Sequence, residues 1–311
     1  MRKSIPWLQA RLARHIDDLA DLPAGVWRRA GALNTWGTNA IEGNTLTHDD
    51  VERLLLDDVS VAGRPISDVR ETIQHEEAFR SLLERRKKPI DLVSVLELHE
   101  TVFRGQSAKR PGQWRTSNVY ISGTTFRPPR RDEVIPRMEA WRAEVASMLA
   151  TRKGDIVAQA ARMHHTFEQI HPFEDGNGRA GRLLLNLFLV RKGWPPLHVL
   201  PPDRRRYLDA LESGNKGDLQ PLEDFLATAL ARSLLDLLDQ VGDPDDALVE
   251  LPKLAAKPWV DHKPDYLALR CRTGAIPAIR AGETSGRVPA HRGRPRWLTS
   301  EAALRWALSK N

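Results

Sequence analysis

Apolar positions recur at helical spacing along most of this chain. In DDVERLLLDDV, Val51, Leu54, Leu55 and Val59 fall on one stripe, the signature of an amphipathic helix. Residues 1–88 read as helices with short breaks, and the pattern continues from Asp91 to Phe103. Val157, Ala160, Ala161, His164, Phe167 and Glu168 then share one face of a helix over 156–170 that delivers His171 at its end. Pro172 follows at once and pushes the residue before it out of helix. LLLNLFLV, residues 183–190, is apolar on nearly all sides and predicts a helix buried all round. Pro221 to Gln240 gives another long helix. One stretch breaks the rhythm. RGQSAKRPGQWRTSNVYISGTTFRPPRR, residues 104–131, is rich in Gly, Pro, Ser and Thr. Within it NVYI is β-prone, SGTT a turn and FRPP an extended exit, so a small hairpin is expected. DQVGDPDDALVELPK, residues 239–253, reads as a linker. The expected class is mainly α.

Composition narrows the setting. The 311 residues suggest about two domains, and 41% hydrophobic with 28% charged is an ordinary globular balance. No apolar run approaches the roughly 20 residues of a membrane span, so no membrane partner is expected. The charged start MRKSIPWLQARLARHIDDL lacks the apolar core of a signal peptide. Cys271 is the single cysteine, which excludes an internal disulfide and fits a cytoplasmic setting. The net charge of +6 is uneven. From Leu251 to Asn311 there are 12 Lys/Arg against 4 Asp/Glu, whereas the preceding 250 residues hold 35 against 37. The basic character belongs to the tail and points to a polyanion there.

HPFEDGNGRAGR, residues 171–182, concentrates the chemistry. A helix start presents free N–H groups and its positive dipole end. Gly176 and Gly178 let backbone N–H groups approach an anion closely, and Asn177 can add a side-chain donor. Arg179 and Arg182, three apart on a helix, can grip phosphate oxygens. Asp175 is a hard oxygen ligand of the kind that shares Mg²⁺ with phosphates. His171 is the one group here that accepts a proton near neutral pH. The sum is a site for a Mg-bound polyphosphate beside a general base.

The stretch resembles the Fic family motif, HxFx(D/E)GNGRxxR, at every specified position. The resemblance covers roughly residues 90–232 and implies a helical core with a β-hairpin flap. It implies transfer of AMP from ATP to a protein hydroxyl, of Tyr, Thr or Ser. His171 would take the hydroxyl proton, Asp175 would hold Mg²⁺, and Gly176, Asn177 and Gly178 would form the anion hole. Arg179 and Arg182 would hold the distal phosphates, and Phe173 would anchor the loop. A lysine at position 178 marks the Doc-type branch, which phosphorylates its target; Gly178 leaves room for a β-phosphate instead. The 118–127 hairpin resembles the family's flap, which registers a target segment by strand addition. YLDAL resembles the segment that closes the adenine side, with Tyr207 and Leu211 against the base or in the core. Dimers are common in the family.

TNAIEGNTLT adds a brake. Thr38 and Glu42 are spaced i, i+4 on an expected helix that Gly43 ends. This resembles the family's inhibitory motif, (S/T)xxxE(G/N), in which the glutamate pairs with the second motif arginine, here Arg182. A carboxylate on Arg182 denies it to the γ-phosphate, with an effect of about two to three orders of magnitude in rate. Some members use this glutamate to remove AMP instead.

The tail, from Lys263 onward, runs through DYLALRCR, TGAIPAIR, a Gly/Arg-rich stretch and RWLTSEAALRWAL, with Thr299 as an N-cap for the last helix. It resembles the winged helix-turn-helix of MerR- or excisionase-like DNA-binding modules. Arg270, Arg272, Arg280, Arg292, Arg294 and Arg296 would meet DNA phosphates; a small basic domain that docks protein is the other reading. The expected organisation is an N-terminal helical region over 1–89, the Fic core over 90–240, a linker over 241–252 and the winged helix over 253–311. The expected function is a self-inhibited adenylyltransferase. The alternatives are a DNA-bound regulator whose core senses nucleotide and a deadenylylase using Glu42.

Overall fold

A computed structural model describes residues 1–106, 110–151, 154–281, 283 and 296–310. Two compact units divide the chain, one formed by Met1–Ala30 with Ala227–Asn311 and the other by Gly31–Leu226. The cuts differ from the boundaries expected above, because residues distant in sequence hold the first unit together. Trp7 stacks on Trp306 with ring centroids 5.3 Å apart, and Arg11 forms ion pairs with Asp245 and Asp246.

The larger unit is built around the helix Asn177–Arg191, in which every residue from Arg179 to Val190 is buried. A helix submerged on all sides needs apolar residues on all sides, as 183–190 supplies. It packs against Ile156–Ile170, Leu92–Phe103 and Leu82–Arg85. Val134–Ala150 covers Ile156–Ile170 from outside, and Ile66–Arg80 covers Leu92–Phe103. Helix starts follow local capping chemistry. Asp91 accepts from the Ser94 N–H at 2.8 Å, and Asp155 from those of Val157 and Ala158, meeting donors that have no intrahelical partner. The helix His48–Leu55 ends before Val59, which is 42% exposed; Asp58 there takes a positive φ of 56°.

The hairpin expected over 118–127 takes another form. The chain reverses at Ser122–Gly123, with Gly123 at φ 83°, but its two extended arms exchange no backbone hydrogen bonds among the described residues. Side chains hold it instead, as set out below.

The smaller unit carries the sheet. Its strands Val249–Glu250, Trp297–Thr299 and Ile279–Arg280 lie in that order, antiparallel, with Val249 opposite Thr299 and Ile279 opposite Leu298. Helices Leu251–Ala255 and Pro264–Arg272 fall between the first two strands in sequence, and Glu301–Leu308 follows the last. Leu254, Leu267, Cys271, Ile276 and Leu304 form the core. The segment expected as a linker holds a turn of 3-10 helix, Pro244–Asp246, and the first strand. Ser300 caps the last helix through the Ala303 N–H at 3.1 Å, while Thr299, the expected cap, ends its strand and donates to the Pro277 carbonyl. No described helix is long and apolar enough to cross a membrane.

Candidate active site

The helix Ile156–Ile170 ends where the proline demands. His171 adopts left-handed geometry, φ 50° and ψ 60°, and the loop then climbs to Gly176 at φ 81°, which opens the helix Asn177–Arg191. Gly176 brings no side chain to cap that helix. The first intrahelical bond is Ala180 N–H to the Gly176 carbonyl, 3.0 Å, so the N–H groups before it form an uncapped positive end. A Cβ on Gly176 would lie 2.1 Å from the Phe103 ring. The loop therefore needs glycine twice over, for φ and for space.

Asn177 corrects the expectation of a side-chain donor for an anion. Its Oδ1 accepts from the Phe173 N–H at 2.8 Å and its Nδ2 donates to the Phe173 carbonyl at 2.9 Å. Asn177 is 2% exposed, and both ends of its amide are consumed in closing the loop. What remains open at this position is its backbone N–H. Below, Phe173 is stacked between His99, at 3.7 Å between centroids, and Trp114, at 5.3 Å. His99 accepts from the Gly112 N–H on Nδ1 and so donates from Nε2 to the Asp175 carbonyl, 2.9 Å.

His171 has a defined tautomer. Its Nδ1 lies 3.3 Å from the Glu168 carbonyl, and a carbonyl only accepts, so Nδ1 carries the proton and Nε2 keeps its lone pair. Burial pushes the imidazole down to about 4; Arg115 pushes the same way, while the Glu168 carbonyl, Glu42 and Asp175 oppose it. His171 is thus a neutral base throughout the physiological range. Asp175 is exposed at the mouth of the loop.

Arg182 and Glu42 meet, the pairing that the resemblance implies. Arg182 Nη2 donates to Glu42 Oε1 at 2.7 Å, and Nε to Thr38 Oγ1 at 2.6 Å. Thr38 lies on the helix Ala24–Ile41, and Gly43 follows at φ 98°. Burial works to raise Glu42, but the charge and hydrogen bond of Arg182 outweigh it and hold the carboxyl below its ordinary value. A Cβ at position 178 would sit 2.7 Å from Glu42 Oε1 and 3.0 Å from Arg182 Nη1, so Gly178 is the floor on which the pair rests. Arg179 lies over the Phe103 ring at 4.5 Å and pairs with Glu71 at 3.2 Å. Its Nε makes no hydrogen bond among the described residues.

Of the two places expected for Tyr207, against the base or in the core, the structure gives the core. It is 1% exposed, and its hydroxyl bonds His164 Nε2 at 2.7 Å. Its ring lies 5.9 Å from the Arg182 guanidinium. It packs in the core beside Arg182.

Sequence reasoning missed three residues. Arg115, 3% exposed, donates to the carbonyls of His171, Ser117 and Pro129. Glu174 accepts from the Thr116 and Ser117 N–H groups and the Ser117 hydroxyl. Together they clamp the flap base onto the loop. Glu168 sits beside Gly181, where a Cβ would lie 2.2 Å from its Oε1, and burial, with Glu42 adding to it against Arg182, pushes its carboxyl up to about 7. One arginine among 47 Lys/Arg carries no local mark. Glu174 stood inside the motif at an unspecified position.

The tail arginines are unevenly available. Arg280 lies 3.7 Å from Glu283 and Arg296 pairs with Glu250 at 2.9 Å. Arg270 donates to the Tyr266 hydroxyl, and Arg272 is exposed. Arg292 and Arg294 lie outside the described residues. His15, Asp243 and Asp246 have ligand atoms within 4.8 Å of one another, but Arg11 already bonds the Asp246 carboxylate.

The fold and loop define a class of protein first: a helical domain that sets a neutral imidazole next to an uncapped, arginine-flanked helix start. Comparison makes the class specific. Residues 89–189 match the Fic/DOC family, and the chain carries a Fic/DOC domain. It is 30% identical over 230 residues to the protein adenylyltransferase Fic of Nematostella vectensis, covering 70% of this chain and 52% of that protein. The chain spans about half the length of the curated relatives it matches. Among solved structures, Fic-1 of Caenorhabditis elegans aligns with TM-score 0.65 at 27% identity, over 77% of this chain and 71% of that one. A Fic domain-containing signalling protein of Bacteroides thetaiotaomicron shares the fold with TM-score 0.68 at 24% identity, over 76% and 97%.

Proposed function

We propose that this chain transfers AMP from ATP to the hydroxyl of a protein side chain docked on the 118–127 flap, and that Glu42 restrains the reaction at rest. The carrying observation is a neutral imidazole with a bare Nε2 beside an uncapped helix start whose Arg182 is held by Glu42. The target oxygen attacks the α-phosphorus, the bond to pyrophosphate breaks, and His171 Nε2 takes the hydroxyl proton. The N–H groups of Asn177, Gly178 and Arg179 hold phosphate oxygens. The donor chemistry fits a divalent ion as well. Asp175 offers an exposed carboxylate at the loop mouth, with its own carbonyl fixed by His99. Asp175 would hold Mg²⁺ together with phosphate oxygens, and the ion when bound offsets charge on the phosphates. Glu42 occupies Arg182 donors that would otherwise meet the terminal phosphate. The setting we propose is the cytoplasm.

The test is self-labelling from ATP labelled on the α-phosphate. The native chain is expected to label weakly and Glu42→Gly strongly, while Glu42→Gly with His171→Ala does not label. Because the Glu42 side chain is 37% exposed, solvent screens the pair, and the expected gain is about ten- to a hundredfold. Absence of label in Glu42→Gly that still binds ATP favours the nucleotide-sensor reading. Loss of AMP removal from a labelled substrate in the same variant assigns Glu42 to the deadenylylase reading.

For the smaller unit, the order strand, helix, helix, strand, strand, helix supports a winged helix-turn-helix that binds DNA. With Arg280 and Arg296 engaged by acids, Arg270 and Arg272 are left to carry phosphate contacts. Double substitution of both by Ala should weaken duplex binding by the full chain and flatten its salt dependence by about two phosphates' worth. Duplex binding untouched by that change would remove the reading.

A further inference from the structure

The flap has a second feature. Its extended arms leave backbone N–H and C=O groups unpaired by each other, an edge to which an extended segment can add. Beside its outer arm opens a cavity of about 420 Å³. Phe126 and Pro129 of the flap, Ala140 and Trp141 of the helix Val134–Ala150, and Ile170 form its apolar wall. Ile170, in its wall, immediately precedes His171 in the chain. Its volume lies at the low end of ligand sites, roughly 300–1,000 Å³, enough for one or two side chains.

The rim is cationic. From Arg115 to Arg131 the sequence holds four arginines and no acid. Arg127 and Arg137 line the cavity. Arg127 lies 4.7 Å over the ring of Tyr120, itself 73% exposed, and forms no ion pair among the described residues. Arg137 pairs with Glu133 at 2.8 Å, with both side chains largely exposed, a contact weak enough to exchange. The acid in the cavity wall, Glu144, is already bonded by Arg162.

We infer that this cavity, walled by Phe126, Trp141 and Ile170 and rimmed by Arg127 and Arg137, selects the target segment by taking a bulky apolar side chain flanked by acidic residues. The inference rests on the proposed transfer to a docked protein hydroxyl. It also fixes a spacing. On an extended segment, residues two apart point to the same face. With the acceptor hydroxyl at His171, the next side chain on the same face lies two positions away, and that is the one we assign to the cavity.

The test uses the full chain with Glu42→Gly and short synthetic peptides bearing a Tyr, Thr or Ser acceptor. One set carries Leu or Phe two residues from the acceptor with neighbouring Glu. A second set replaces the Leu or Phe by Ala, and a third replaces the Glu by Lys. Label from α-labelled ATP is expected at least tenfold higher on the first set. Ala140→Trp, an exposed position whose new ring is meant to fill the cavity, should erase the Leu/Phe advantage. Arg127→Glu with Arg137→Glu should turn the preference to the Lys set. Equal labelling of all sets, no peptide labelling while the chain labels itself, or indifference to Ala140→Trp each overturn the inference. If neither peptides nor chain take label, the transfer reading fails, and the cavity is judged by fluorescence polarisation of the same peptides with the chain. The first set must then still bind at least tenfold more tightly than the second and third, and equal binding overturns the inference.

Discussion

In the loop 171–176 the fold takes up most backbone carbonyls and the Phe173 N–H, and it leaves the N–H groups at the start of the following helix open. Phe173 is bonded through both N–H and C=O to Asn177, the Asp175 carbonyl to His99, and the His171 carbonyl to Arg115. Across the flap and its flanks, 115–131, the backbone arms leave each other unpaired, and side chains do the fixing. Glu174 and Arg115 hold the base, and near the turn the Thr124 hydroxyl bonds Glu212. Under the proposed transfer, the contrast separates two tasks. Groups that meet a phosphorus must be positioned before the substrate arrives, since pre-organised donors need no rearrangement at the moment of reaction. A surface that reads a protein segment needs open hydrogen-bonding groups on a fixed frame.

The comparison breaks most completely at Gly176. Gly176→Ala meets both a φ of 81° and the Phe103 ring at 2.1 Å. The expected cost is about 3 kcal/mol of stability, read by thermal unfolding, together with loss of nucleotide binding by titration calorimetry. A variant that keeps native nucleotide affinity would show that the loop is not rigidly specified.

A pH profile sharpens the loop side. His171 sits at about 4, below the ordinary 6.5, because burial disfavours the charged ring. A depressed value leaves the base active above it, so labelling by Glu42→Gly should stay level from pH 8 to pH 5 and fall about tenfold per unit below pH 4. An ordinary histidine would already have lost about thirtyfold at pH 5. Removing Glu42, which holds the value up, moves the limb lower still. The same sign governs stability. The contribution of a neutral buried histidine is complete above pH 6.5 and is lost as pH falls from there towards the folded value. His75 and His164, pushed by burial to about 3, and His198, to about 4, add to that loss.

What was legible in the sequence follows the same division. The loop and the Thr38–Glu42 pair were legible because their spacing is local: His171 before Pro172, Gly176 at a helix start, Thr38 and Glu42 one turn apart. The partner of Glu42 lies 140 residues away and was reached only through resemblance. The submerged helix was legible from its all-round apolar run. Asn177 was misread because residue type alone does not say which of two nearby acceptors and donors, a ligand or the backbone four residues earlier, takes the amide. For Tyr207 the sequence left base contact and core packing both open, because burial of an aromatic ring depends on what packs over it. The unit division escaped because Trp7 on Trp306 and Arg11 on Asp245 leave no trace at short range.

Glu174 tests the flap side with the smallest effect on the fold. Its carboxylate accepts three donors from Thr116 and Ser117, and these bonds hold it below its ordinary value although burial works to raise it. The side chain is 23% exposed, so water replaces much of what Glu174→Ala removes, and the expected stability loss stays near 0.5 kcal/mol. Nucleotide affinity should be unchanged, because no anion-site N–H depends on Glu174. Labelling of a docked protein or peptide should fall about tenfold, since a flap loosened at its base no longer fixes a segment against His171. A loss confined to KM for the target, with kcat for self-labelling retained, separates positioning of the flap from damage to the loop. An equal loss of nucleotide binding would show instead that Glu174 belongs to the loop's own framework, and that loop and flap are one rigid element.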